Sequence, residues 1–144
     1  MSDLPRLPGL TLADADSLVQ DALAVGEERG FPPLAIAVID VVGEVIVLRR
    51  ADGGMPMTSR IAVAKARTAL LALKPSGQVD LPGGIVDSIQ HLYDGHFVPW
   101  AGGVLVTEGG VILGAAGASG AHAREDEEAV ATAVRRWQER RATT

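Results

Sequence analysis

The sequence predicts a small α+β domain, an antiparallel sheet with helices on both faces. Three observations predict it. Short apolar runs come in pairs joined by tight turn signals, which marks hairpins and therefore antiparallel strands. Segments with helical spacing open, divide and close the chain, so helices are available for both sheet faces. The 144 residues fit one domain and suffice for a core of their own.

Each element has a local reason. Residues 1–9 hold two prolines, Asp3 and Arg6 but no apolar run. They read as a flexible arm before a single domain over 10–144, not as a signal peptide. Thr11 and Asp14 have capping-box spacing. The helix they start runs over Leu12–Arg29, with Leu12, Ala15, Val19, Ala22 and Gly26 on one stripe. Gly30 stops it, and Pro32-Pro33 prevents continuation. Leu34–Asp40 is almost continuously apolar, as suits a central strand covered on both faces. Val41-Val42-Gly43 turns the chain, and Glu44–Arg50 returns as the hairpin partner.

Asp52–Pro56 breaks that strand, and a helix capped by Thr58 or Ser59 follows, ended by Pro75. Wound at about 100° per residue, it places Ala62, Val63, Ala66, Ala69, Leu70 and Leu73 on one side. Ile61, Ala64, Leu71 and Ala72 fall on the other, and from Ile61 onward only Lys65, Arg67 and Thr68 interrupt the apolar surface. A helix apolar all round is buried on both sides, and a second subunit is the expected outer cover. Residues 75–102 are rich in glycine and proline, with a short strand or helix around Ile85–Leu92. A segment so long and irregular is a candidate for function. Gly103–Thr107 and Val111–Gly117, joined at Glu108-Gly109-Gly110, form a second hairpin. Asp126, Glu127 and Glu128 then open the last helix and arginines close it, the charge order that a helix dipole favours.

Composition excludes several classes of function. No cysteine is present, so disulfides, thiolate metal sites and cysteine nucleophiles are ruled out. A net charge of −5 argues against nucleic-acid binding, which needs a basic face. Arg135, Arg136, Arg140 and Arg141 cluster only where they complement a helix end. No uninterrupted apolar run approaches the ~18 residues of a membrane span. The expected setting is cytoplasmic, without membrane or nucleic-acid partners. Aromatic residues make up 3%, so apolar mass comes from small and branched side chains that allow close packing.

Several pieces then line up in order: Leu10-Thr11-Leu12-Ala13-Asp14-Ala15, Val38-Ile39-Asp40, and Arg49-Arg50-Ala51-Asp52. They continue with Ala62-Val63-Ala64-Lys65-Ala66-Arg67-Thr68-Ala69, Gly102-Gly103-Val104, and Gly117-Ala118-Ser119-Gly120 before Asp126-Glu127. Taken together they resemble the GlcG/HbpS-like family, which includes the C-terminal domain of PduO-type proteins. The resemblance covers about Leu10 to Ala133. It implies a profilin-like fold with a five-stranded antiparallel sheet, a symmetric homo-oligomer, and haem as the cofactor of some members. Where the family often has proline after Gly-Gly-Val, this chain has Leu105. Some relatives ligate haem through a histidine near the first helix. No histidine precedes His91 here, so an axial role would fall to His96 or His91.

The chemistry-bearing residues gather late in the chain. His91, Tyr93, Asp94 and His96 lie within six residues of the irregular segment. His96 could act as a general base with Tyr93 or Asp94 beside it; the bland reading is a polar surface loop. As metal ligands, His91, Asp94 and His96 have the right atoms, but Gly95 breaks the spacing and no metal site is assigned. Lys65 sits on an otherwise apolar helix. It needs water, a carboxylate or a ligand. Schiff-base chemistry stands against the blander ion pair with Asp40, Asp52 or Glu108. Ser119 and Gly120 lie at a strand-to-helix turn whose amides could hold an anion, with His122 beside them. The bland reading is a tight turn capped by Ser119. A Ser119/His122/Asp126 triad lacks a nucleophile elbow.

These readings lead to one expected pocket, with His96, Tyr93, His122 and Lys65 as catalytic groups and Ser119, Gly120, His91 and Asp94 as ligand contacts. The first functional reading is an oligomeric accessory protein of a metabolic pathway that binds a small organic ligand, with haem as the family's candidate. The alternative is a cofactor-independent isomerase, dehydratase or lactone-processing enzyme acting on a small carboxylated metabolite. A purely structural oligomer is the third.

Overall fold

The computed structural model describes residues 4–143. The expected arm over 1–9 begins outside the described residues, and 4–9 carry no helix or strand. The elements run α1 (Leu12–Glu28), β1 (Ala35–Ile39), β2 (Val45–Arg50), α2 (Thr58–Ala72), a 3-10 turn (Ser76–Gln78), α3 (Gly83–Leu92), β3 (Gly103–Glu108), β4 (Val111–Ser119) and α4 (Ala123–Ala142). The sheet has the order β2-β1-β4-β3, and every neighbouring pair is antiparallel. The two hairpins therefore meet through β1 and β4.

Among the described residues the sheet has four strands, not five. The segment that could have supplied a fifth forms α3 instead. Ile85, Val86, Ile89 and Leu92 recur there at helical rather than alternating spacing.

Strand alternation divides the core. Ile36, Val38, Val104, Val106, Ala116 and Ala118 face α1 and α4, which bring Leu18, Val19, Val25, Val130 and Trp137. Ala35, Ala37, Ile39 and Ala115 face α2. The first layer is filled by large side chains. The second is nearly bare, and α2 lies almost directly on the backbone. A Cβ at Gly117 would lie 2.0 Å from the Ala62 carbonyl oxygen, and one at Gly103 would lie 2.0 Å from that of Lys65.

Caps and ion pairs fix the helices. The Thr11 amide donates to Asp14 Oδ2 and the Asp14 amide to Thr11 Oγ1, both at 3.0 Å, which completes the expected capping box. Burial works against charge on Asp14. Hydrogen bonds from Thr11 and Trp137, with the charge of Arg141, nevertheless hold its carboxyl below the ordinary value. Gly30 takes the left-handed φ of +68° expected of a stop residue. The α4 arginines tie back to α1, with Arg140 on Asp21 at 2.6 Å and Arg136 on Glu28 at 3.1 Å.

The outer side of α2 is covered largely within the chain. Ala64 and Thr68 are buried, because the segment after α3 folds over them. Phe97 is buried, and the Val98 amide donates to Thr68 Oγ1 at 2.7 Å. Leu71 and Leu73, at the end of the helix, remain exposed. No helix among the described residues is long and apolar enough to cross a membrane.

Candidate functional site

Three chain segments converge at the C-terminal end of α2. The first is the β1–β2 turn, where Asp40 Oδ1 accepts from the amides of Val42 and Glu44 at 3.0 Å each. The second is the last turns of α2, where Leu73 ends the helix with φ +57°. The third is the turn after α3. There Asp94 and Gly95 take positive φ, and the His96 amide donates to the Tyr93 carbonyl at 2.9 Å. Between them lies an open groove of about 820 Å³, within the range of small-molecule sites. Val41, Val42, Leu70, Leu71, Leu73 and Ile112 give it apolar walls, and Arg67, Tyr93, His96 and Glu44 supply the polar groups.

Arg67 organises the rim. Its Nε donates to the Gly43 carbonyl at 2.8 Å, and its Nη1 lies 2.8 Å from His96 Nδ1. A guanidinium nitrogen can only donate, so Nδ1 is the acceptor. The neutral imidazole then carries its proton on Nε2. His96 thus enters the groove region as a hydrogen-bond donor.

A second polar centre lies beside the first half of α2. Lys65 Nζ donates to Asp126 Oδ2 at 2.9 Å and to the Ala118 carbonyl at 3.1 Å. Both charged residues are buried, Lys65 at 3% and Asp126 at 2% exposure. Asp126 Oδ1 also accepts from the Ala121 amide at 2.9 Å. Burial pushes the Asp126 carboxyl up, against the opposing hydrogen bonds from Lys65 and Ala121. The expected partners Asp40, Asp52 and Glu108 are not the ones that pair with Lys65. Asp126 comes within reach because α4 starts at Ala123, three residues before the expected acidic opening. That places Asp126 on the helix's inner side.

The structure divides the expected pocket. Tyr93 and His96 share the groove. Lys65, Ser119 and Gly120 share the cavity beside Asp126. His122 is the exposed N-cap of α4 and lines a third, shallow depression with Arg124 and Glu125. His91 and Asp94 are exposed. Among the described residues, His96, Lys65 and His122 line three different cavities. Ser119 ends β4 and does not cap α4. No group of three His, Asp or Glu side chains among the described residues is placed to hold a metal ion. Sequence reasoning missed Arg67 as a groove residue and Asp126 as the partner of Lys65. Arg67 had a readable signal, since Arg67, Leu70 and Leu71 are spaced three and four apart on one helix face.

Comparison with known proteins adds the family. Residues 10–135 match the family described as haem-degrading protein HbpS-like. The chain belongs to the HbpS-like family. A relative from Citrobacter freundii, an uncharacterized 15.0 kDa protein in the dhaT-dhaS intergenic region, is 26% identical over 137 residues. The match covers 93% of this chain and 96% of that protein. The crystal structure of HbpS superposes with a TM-score of 0.77 at 26% identity, covering 94% of each chain. A crystal structure of a PduOC–haem complex gives 0.78 at 23% identity, covering 88% of this chain and 94% of that one. At that identity the latter likeness establishes the shared fold.

Proposed function

We propose that this HbpS-like chain is a homo-oligomeric accessory protein that binds a small organic ligand in the groove at the end of α2, and that the ligand is a haem. The groove itself carries this reading: about 820 Å³ of apolar space with one arginine and two ring donors at its rim. The family description and the haem complex of the PduOC neighbour support the choice of haem.

The residues present fit such a group. A haem needs an apolar slot, cations for its propionates and an axial donor. Val41, Val42, Leu70, Leu71 and Ile112 would supply the slot, Arg67 the cation, and Tyr93 or His96 would hold the iron. The haem iron would bring redox and oxygen chemistry that no side chain here has. Arg67 sets the condition for His96 to serve. While the guanidinium donates to Nδ1, Nε2 holds a proton and offers no lone pair. His96 would hold the iron only with Arg67 turned away from Nδ1, whereas Tyr93 is exposed and has no contact with Arg67 to break.

Haem titration followed by absorption tests the reading. The expected result is stoichiometric binding that Arg67→Ala weakens about tenfold or more, the scale of one charge-assisted hydrogen bond. Leu70→Glu, which places a charge in the slot, should abolish it. Binding unchanged in both variants would overturn the assignment of this groove.

A further inference from the structure

The cavity beside Asp126 has the features of a second built site, separate from the groove and independent of the haem reading. It is about 280 Å³, the scale of a molecule of a few heavy atoms. Met55, Met57, Ile61 and Trp100 form its apolar side, and Thr58, Lys65, Ser119 and Asp126 its polar side. Met55, Met57 and Trp100 are more than half exposed, so the apolar side is also the mouth.

Two observations point to an occupant. Ser119 is 6% exposed and lines the cavity, yet its hydroxyl forms no hydrogen bond with another described residue. That hydroxyl keeps surface open to the cavity, so a guest there can hydrogen-bond to it. The second is the Lys65–Asp126 pair. Buried ion pairs are often no more stabilising than apolar side chains of the same size, so stability alone does not call for one here. Gly102 leaves room for it: a Cβ there would lie 2.8 Å from Lys65 Cδ and 2.9 Å from Nζ.

The chemistry of the walls selects the ligand class. Asp126 already neutralises the Lys65 ammonium, so an anion finds no net positive charge. A neutral carbonyl compound finds a hydroxyl donor, an amine and a proton acceptor together, with an apolar wall for its hydrocarbon part. We propose that this pocket takes a small aldehyde or ketone and captures it as a Schiff base on Lys65, with Asp126 moving the proton and Ser119 holding the carbonyl oxygen.

The step balances without a redox partner. The Lys65 ammonium gives a proton to Asp126, 2.9 Å away. The freed amine bonds to the carbonyl carbon, the C=O π pair moves to oxygen, and a nitrogen proton transfers to that oxygen, forming a carbinolamine. Asp126 then returns its proton to the departing hydroxyl, and the C–O bond breaks. Water leaves, and a protonated imine remains paired with the Asp126 carboxylate. The raised position of the Asp126 carboxyl favours the first transfer.

The chain has only two lysines, Lys65 and the exposed Lys74, so the test contains its own control. The full chain is incubated with propanal and cyanoborohydride near neutral pH, and the reduced adduct is located by peptide mass spectrometry. The expected result is adduct at Lys65 in excess of Lys74, with the Lys65 rate lowered about tenfold by Ser119→Ala, the scale of one lost hydrogen bond. Adduct confined to Lys74 would overturn the proposal. So would an unchanged Lys65 rate in Ser119→Ala, a conservative change that keeps the ion pair intact.

Discussion

Lys65 shows how one residue can join three elements. Its helix lies on the sheet, its ammonium reaches the carbonyl at the end of β4, and its counter-charge comes from the first turns of α4. Removing one partner strands the other charge in the interior. We expect Asp126→Ala to cost about 3–5 kcal/mol in urea unfolding, and Lys65→Met/Asp126→Leu to recover most of that loss. A single variant as stable as wild type would show that water already reaches the pair. The need of Lys65 for a partner was legible, because the helix around it is apolar. The partner's identity was not, since Asp126 lies 61 residues away and closeness at that separation is set by the packing of α4. Arg67 is the converse case. Along the sequence it only interrupts an apolar helix surface, and the fold of the two turns places it between Gly43 and His96.

At the scale of elements, α2 is the organising feature. The sheet face beneath it is made of alanine and glycine, so helix and strands meet backbone to backbone. The first half of α2 lines the Lys65 cavity and its second half lines the groove. Adding a single methyl at Gly117 has nowhere to go but the Ala62 carbonyl. Gly117→Ala should therefore destabilise by about 1–3 kcal/mol or more, the range of overpacked cores. A melting temperature equal to wild type would mean that α2 can slide off the strands at no cost. The helices and hairpins were legible from periodicity and turn residues. The fate of residues 83–92 was not, because a short apolar run with glycine and proline around it is ambiguous between strand and helix.

At the scale of the molecule, one region among the described residues is left largely uncovered. α3 buries none of its residues, and Ile85 and Leu92 are 48% and 76% exposed. Leu71, Leu73 and Tyr93 are exposed as well. Apolar surface of this kind marks an association site. The proposed homo-oligomer should bury it. Light scattering at micromolar concentration is expected to give a multiple of the 14.9 kDa chain mass, reduced by Ile85→Glu/Leu92→Glu. A monomeric wild type would end the proposal. Because α3 contributes nothing to the core, the variant should stay folded, which separates loss of assembly from loss of structure.

The sequence by itself determined the α+β class, both hairpins, the first helix with its capping box, the presence of the last helix, and the family. These depend on spacing and turn chemistry within a few residues. Tertiary structure decided the number of strands, the burial of α2 by the segment after α3, and which functional side chains meet. His96, Lys65 and His122 look alike as candidates along the chain. They separate because Lys65 turns into the cavity beside Asp126, His96 meets Arg67 at the groove, and His122 lies exposed at the N-cap of α4. Local chemistry names the groups that could act. Only the close approach of a helix to a glycine-lined sheet determines which of them share a cavity.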